Sequence, residues 1–144
     1  MNLILALLVI FGGASYPVVQ QDCPLCVSSS DGVFTEYAGA RHDGSYGLLA
    51  HDYLAGKHLF ALDVGDTVTI VLSNGEQSYR ISNIWRARVA GSGFQTPFGK
   101  LSQAEMFGLA YGYPNRLTLQ TCDGLDYRVF YVAEPITVRT RSDK

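Results

Sequence analysis

The chain has 144 residues, enough for one domain with a single core. Eleven Lys and Arg stand against 13 Asp and Glu, a formal net charge of −2, and no basic run could track a phosphate backbone. This argues against nucleic acid as a partner. The acidic residues are scattered, so no calcium or other metal site is read from them. Fifteen glycines, seven Phe and nine Tyr, with few long helical patterns, favour a mostly β domain.

Asn2 to Phe11 (NLILALLVIF) is an uncharged apolar run, followed by the small residues Gly12-Gly13-Ala14-Ser15. The run fits a secretory segment with a cleavage site, although no Lys or Arg precedes it. It is too short to span a bilayer, which takes about 20 apolar residues. The other reading is a buried strand or helix of the domain. We expect an export segment or short hydrophobic N-terminal segment over 1–15, a linker over 16–31 and the folded domain over 32–140. The linker expectation rests on Pro17, Pro24 and Ser28-Ser29-Ser30. Within it lies Cys23-Pro24-Leu25-Cys26. A zinc ribbon would need a second such pair. A thioredoxin-like site would need a strand before it and a helix after it. A local disulfide or two free thiols remains, which leaves Cys122 as an odd third cysteine.

Val33 to Ala38 and Tyr46 to Tyr53 read as strands around the polar turn Arg41-His42-Asp43-Gly44. His51 falls near the end of the second, while His42 and His58 are expected to be solvated. Thr67 to Leu72 (TVTIVL) and Gln77 to Arg86 form a hairpin about Ser73-Asn74-Gly75-Glu76. Trp85 is expected in the core or in a cleft wall. Arg88 to Lys100 reads as a loop, given its glycines and its proline. Leu101 to Gly112 reads as a helix with Ser102 as N-cap and Met106, Leu109 and Ala110 on one face. After Pro135, ITVRTRSDK reads as a last strand and a charged end.

Leu117 to Val132 (LTLQTCDGLDYRVFYV) organises the rest. Leu117, Leu119 and Thr121 alternate with Thr118, Gln120 and Cys122, a period of two that predicts a strand ending at Cys122. Asp123-Gly124-Leu125-Asp126 is a tight turn, and Tyr127 to Val132 a second strand with Arg128, Phe130 and Val132 on one face. A five-residue loop sets Cys122 opposite Arg128. A four-residue loop sets Thr121 there. Either way, Cys122 and Arg128 are expected to line one cleft.

This hairpin resembles the signature of the sortases, the cysteine transpeptidases of bacterial cell surfaces. Their TLxTC motif stands here as Thr118-Leu119-Gln120-Thr121-Cys122, with Arg128 on the following strand. Leu48-Leu49-Ala50-His51 fits their upstream histidine motif, with alanine where glycine is usual, and Phe60 to Val68 matches their F..L..GD.V pattern. The resemblance covers roughly residues 45–138. It implies a closed antiparallel sortase-type β-barrel with one or two short helices. The stretch before His51 is shorter than usual, which predicts trimmed first strands. The resemblance also implies Cys122 as nucleophile, His51 as general acid/base and Arg128 as oxyanion or substrate stabiliser. Thr121, Phe94, Phe98, Phe107 and Tyr111 become candidate substrate-binding residues, because the 88–112 connection is where sortases choose their sorting signal.

The chemistry fits these residue types. Acyl transfer needs a thiolate, since the neutral thiol is a poor nucleophile. It needs an acid for the departing amine, which histidine supplies near neutral pH. It needs donors at the oxyanion, worth about 3–4 kcal/mol each, and arginine brings a permanent charge on a forked donor. The implied partners are a C-terminal LPxTG-like sorting signal and an amine acceptor, either a cell-wall precursor or a pilin lysine. No cofactor is implied, a monomer is expected, and the location is extracytoplasmic. Competing readings are a sortase-fold module that only binds peptide by strand addition, and a redox protein acting through Cys23 and Cys26.

Overall fold

The computed structural model describes residues 4–23 and 26–136. Among the described residues, ten strands run in chain order: β1 (Ala6–Phe11), β2 (Ala14–Gln20), β3 (Phe34–Glu36), β4 (Tyr46–Leu49), β5 (Thr67–Leu72), β6 (Gly75–Ala90), β7 (Gly93–Thr96), β8 (Gly99–Ser102), β9 (Leu117–Asp123) and β10 (Tyr127–Pro135). One α-helix, α1 (Gln103–Tyr111), follows β8, and short 3-10 turns cover Ala38–Ala40 and Ala55–Ala61. The strand order is β10-β9-β4-β3-β2-β1-β5-β6, and β6 pairs back onto β10. Eight strands therefore close into a barrel, while β7 and β8 extend from β6 as a ribbon. Closure removes free edges from the eight. Most pairs are antiparallel, but β2–β3 and β4–β9 are parallel.

The N-terminal expectation is corrected. Ala6–Phe11 is a barrel strand, hydrogen-bonded between β2 and β5, with Ala6 and Val9 fully buried. Ala14–Gln20, placed partly in the linker, is β2. The two form a hairpin whose turn uses Gly12 and Gly13, both at positive φ. The run was ambiguous because a short apolar stretch reads alike as export segment and as strand. These two strands mean that the barrel is not trimmed ahead of His51, and the domain begins well before residue 32. Glu36 explains part of why they dock. It is fully buried, and its carboxylate accepts from the Ala6 N–H (3.0 Å), from Gln20 Nε2 (2.9 Å) and from Arg41 Nε (2.7 Å).

The barrel core gathers Val9, Phe34, Leu48, Leu59, Val68, Ile70, Ile81, Leu117 and Leu119, all with essentially no exposure. Each such side chain contributes about 1.5–3 kcal/mol on burial. A second cluster sits outside the wall, where Met106, Ala110 and Tyr111 of α1 pack on Ala87, Phe94 and Phe130. Serine 102 caps α1 as expected, accepting from the Glu105 N–H while Glu105 accepts from the Ser102 N–H. That reciprocal bonding holds the Glu105 carboxyl below its ordinary range. The helix is shorter than expected, since Leu101 and Ser102 belong to β8. The loop expected over 88–100 is largely the β7–β8 ribbon. Its glycines serve two tight turns, with Gly91 and Gly99 at positive φ. Trp85 lies at the edge of the second cluster, with Phe98 set edge-on against it at 5.4 Å. Of the last strand expected after Pro135, Ile136 donates its N–H to the Ser78 carbonyl at 2.9 Å, and the rest lies outside the described residues.

Candidate active site

The site is assembled by strand parity and by one parallel pairing. On β9, Leu117 and Leu119 point into the barrel. Thr118 and Gln120 point outward, where the Thr118 hydroxyl donates to the Ala110 carbonyl of α1 and Gln120 Oε1 accepts from the Tyr111 hydroxyl. Cys122 shares their parity. On β10, Val129, Tyr131 and Ala133 point in and Phe130 points out, so Arg128 shares the outer face. The register pairs Arg128 directly with Cys122, and Tyr127 with Asp123, leaving Gly124–Asp126 as the connection. This is the alternative that sets the two residues opposite each other, on one face.

Because β4 runs parallel to β9, their C-terminal ends lie side by side. The pairing continues past β4, with the Ala50 N–H donating to the Gln120 carbonyl at 3.2 Å. The Thr121 hydroxyl donates back to the Ala50 carbonyl at 2.7 Å. The next residue, His51, thus emerges beside Cys122. Its carbonyl accepts from Leu54 N (3.0 Å) and Gly56 N (2.9 Å), which closes a tight turn, and its ring stacks on Tyr53 at 5.1 Å. Asp52 Oδ2 accepts from the Gly124 N–H at 2.8 Å, tying this turn to the β9–β10 connection.

A cleft of about 310 Å³ results, and Cys122, Arg128 and His51 all line it. Val27, Tyr37, Leu49 and Phe107 supply its apolar wall. Cys122 and Arg128 are half-buried. Burial pushes the Cys122 thiol up, Arg128 pulls it down and Asp52 pushes it up again, for a net rise. The resting side chain is therefore a protonated thiol at neutral pH. Arg128 Nη1 donates to the Tyr127 carbonyl at 3.3 Å, and on the flank Arg86 pairs with Asp123. A larger hollow of about 440 Å³ among Phe11, Tyr16, His58 and Leu62 contains no cysteine.

Among the candidate wall residues, only Phe107 and Thr121 border the cleft. Thr121 is 2% exposed with its hydroxyl committed to Ala50, so it holds the wall together rather than presenting a free donor. Tyr111 is 5% exposed behind Phe107, where its hydroxyl orients Gln120. Phe94 is buried in the second cluster. Phe98 is exposed on the β7–β8 turn, away from the cleft lining. The placement of Phe94, Phe98 and Tyr111 in the wall is corrected, because the ribbon and helix turn these rings toward α1, Trp85 and the outer face of β10. Sequence reading missed Val27, Tyr37, Leu49 and Gln120. Gln120 and Leu49 were accessible from their parity with Cys122 and His51, whereas Val27 and Tyr37 arrive through tertiary packing. Both remaining histidines are exposed, and each has a partner: His42 Nε2 bonds the Tyr111 carbonyl at 2.8 Å, and His58 packs on Tyr16. Cys23 and Cys26 form a disulfide, and Cys122 is a free cysteine. Among the described residues, no group of three or more His, Cys, Asp or Glu side chains is disposed to hold a metal.

Comparison with solved structures agrees with the resemblance in the motifs. The structure is similar to sortase C1 from Streptococcus suis, with a TM-score of 0.68 at 16% identity over 96% of this chain and 76% of that one. It is similar to sortase C from Clostridium perfringens SM101, with 0.64 at 14% over 92% and 71%. It is also similar to a lid mutant of Streptococcus agalactiae sortase C1, with 0.63 at 15% over 93% and 70%. No family model and no curated protein matches the sequence. The chain has the sortase fold.

Proposed function

We propose that this protein is a sortase-like cysteine transpeptidase. It cleaves an LPxTG-like sorting signal through a thioester on Cys122 and transfers the acyl group to an amine. The observation that carries this reading is the opposition of Cys122 and Arg128 on one outer face, with His51 brought into the same cleft by the parallel β4–β9 pairing.

The thiol loses its proton to His51, and the thiolate attacks the scissile carbonyl carbon. The new C–S bond leaves a tetrahedral oxyanion, which Arg128 stabilises. The C–N bond then breaks, and His51 returns the proton to the departing amine. In the second half the acceptor amine adds to the thioester and the C–S bond breaks. The amine gives up its proton to His51 as the amide forms, and His51 passes it to the departing Cys122 thiolate. Water in place of the amine would make the reaction a hydrolysis. The wall of Val27, Tyr37, Leu49 and Phe107 suits an apolar side chain of the signal. The partners are surface proteins bearing such a signal and an amine on a cell-wall precursor or a pilin lysine. The Cys23–Cys26 disulfide fits an extracytoplasmic, oxidising location. Among the described residues, no helix is long and apolar enough to cross a membrane.

The test is cleavage of fluorogenic LPxTG-like peptides by the parent, Cys122→Ala and His51→Ala. The parent is expected to cleave and both variants to be inactive. Cleavage by Cys122→Ala at the parent rate would refute the proposal.

A further inference from the structure

We propose that Asp52 is a positioning residue that clamps the His51 turn to the Cys122–Arg128 hairpin through the Gly124 N–H. The inference rests on the transpeptidase reading for its catalytic consequence, but the clamp itself can be observed without it.

Two segments far apart in sequence must be held in register for Cys122 and His51 to cooperate. On the inner side of His51 they are joined by Ala50, through its N–H to Gln120 and its carbonyl to the Thr121 hydroxyl. On the outer side they are joined by Asp52, whose Oδ2 accepts from Gly124 at 2.8 Å across 72 residues of sequence. His51 is thus bracketed between two ties, one before it and one after it. The inner tie belongs to the sheet. The outer tie is a single side-chain contact at the open end of the hairpin, where neither backbone pairs with the other strand. Gly124 sits at φ 70 with open space around it.

A carboxylate placed there carries a consequence for the thiol. The charged and titratable groups around Cys122 are Arg128 on β10, His51 and Asp52 on the turn, and Tyr37 across the cleft. Arg128 favours the thiolate and Asp52 opposes it. The clamp therefore fixes geometry at the expense of a more acidic nucleophile. An amide in its place would keep an acceptor oxygen and drop the opposing charge.

The experiment compares Asp52→Asn and Asp52→Ala in the full chain by three readouts. They are amide exchange at Gly124, the pH midpoint of Cys122 alkylation by iodoacetamide, and the rate of peptide acylation. In Asp52→Asn, Gly124 exchange is expected to stay slow, the alkylation midpoint to fall, and acylation to stay within about threefold of the parent. In Asp52→Ala, the midpoint falls as well, but Gly124 exchange accelerates. Acylation then drops by about tenfold or more at little change in KM, as misplacement of a reacting group does. Unchanged Gly124 exchange in Asp52→Ala overturns the clamp whether or not the parent acylates. Equal loss of acylation in both variants overturns it too, since charge alone would then matter. A parent that never acylates, with Gly124 exchange still responding to Asp52→Ala, would count against the transpeptidase reading and leave the clamp standing.

Discussion

Gly56→Ala is a sharp test of how tightly the His51 turn is built. Gly56 has no need of positive φ, so alanine is conformationally allowed there. Taken alone, the exchange would stabilise the fold by about 0.4–1 kcal/mol, by narrowing the unfolded ensemble. Space decides against it. A Cβ at this position would stand 2.6 Å from the His51 carbonyl oxygen and 2.8 Å from that of Ala50, and would also collide with Thr121 Oγ1. Two of these atoms are backbone, so no side-chain rotation relieves them. Overpacking of this kind costs about 1–3 kcal/mol, leaving a net change between about zero and a loss of about 2.6 kcal/mol. The relief must come from moving the 50–56 turn, which carries His51. A shift of about 1 Å in a catalytic group can reduce rate about 100-fold. Urea unfolding with an unchanged m-value would read the first number, and single-turnover acylation the second. A variant as stable as the parent, or more so, that acylates at the parent rate would show the turn to be looser than the distances imply.

Other predictions concern charge and burial. Arg128→Lys keeps the charge but loses the fork, and acylation is expected to fall by about 100-fold, the size of losing one oxyanion donor; a variant within threefold of the parent would remove that role. Alkylation of Cys122 is expected to keep accelerating above pH 9.0, because the thiol is raised, and Arg128→Ala should move the midpoint higher still. Glu36→Ala is expected to cost about 3–5 kcal/mol, because it strips a buried partner from Arg41 and an acceptor from the Ala6 N–H; denaturant melts read this, and a change under 1 kcal/mol would refute it. Burial pushes Tyr79 and Tyr131 up to about 12. Their contribution to stability is whole below pH 10.0 and fades as pH rises toward 12, so base unfolding should coincide with the rise in tyrosinate absorbance.

How much of this was legible in the sequence differs from element to element. The β9–β10 hairpin was legible because alternation of Leu117, Leu119 and Thr121 with Gln120 and Cys122 is a local pattern. So was the β5–β6 hairpin, although its connection is Ser73-Asn74 alone and Gly75 already pairs with Leu72. The β1–β2 hairpin was not, since a short apolar run followed by small residues reads alike as an export segment and as a strand. Only the partners of Ala6, Val9 and Glu36 tell them apart. The glycines of residues 91–99 signalled irregularity but in fact serve turns of a ribbon. At the site, Cys122, His51 and Arg128 came from motif order, and the parallel β4–β9 pairing that brings them together is a long-range property. The same holds for Val27 and Tyr37, which no local signal connects to the cleft. Phe94 and Phe98 were singled out for their chemistry, and the ribbon turned both away.

The most direct measurement is intact-mass spectrometry of the full chain after incubation with a set of LPxTG-like peptides, with Cys122→Ala alongside. An acyl adduct is expected on the parent alone, lost when a primary amine is added and recovered as the transfer product. No adduct with any peptide, together with Cys122 alkylation indistinguishable from that of a free cysteine, would contradict the transpeptidase reading.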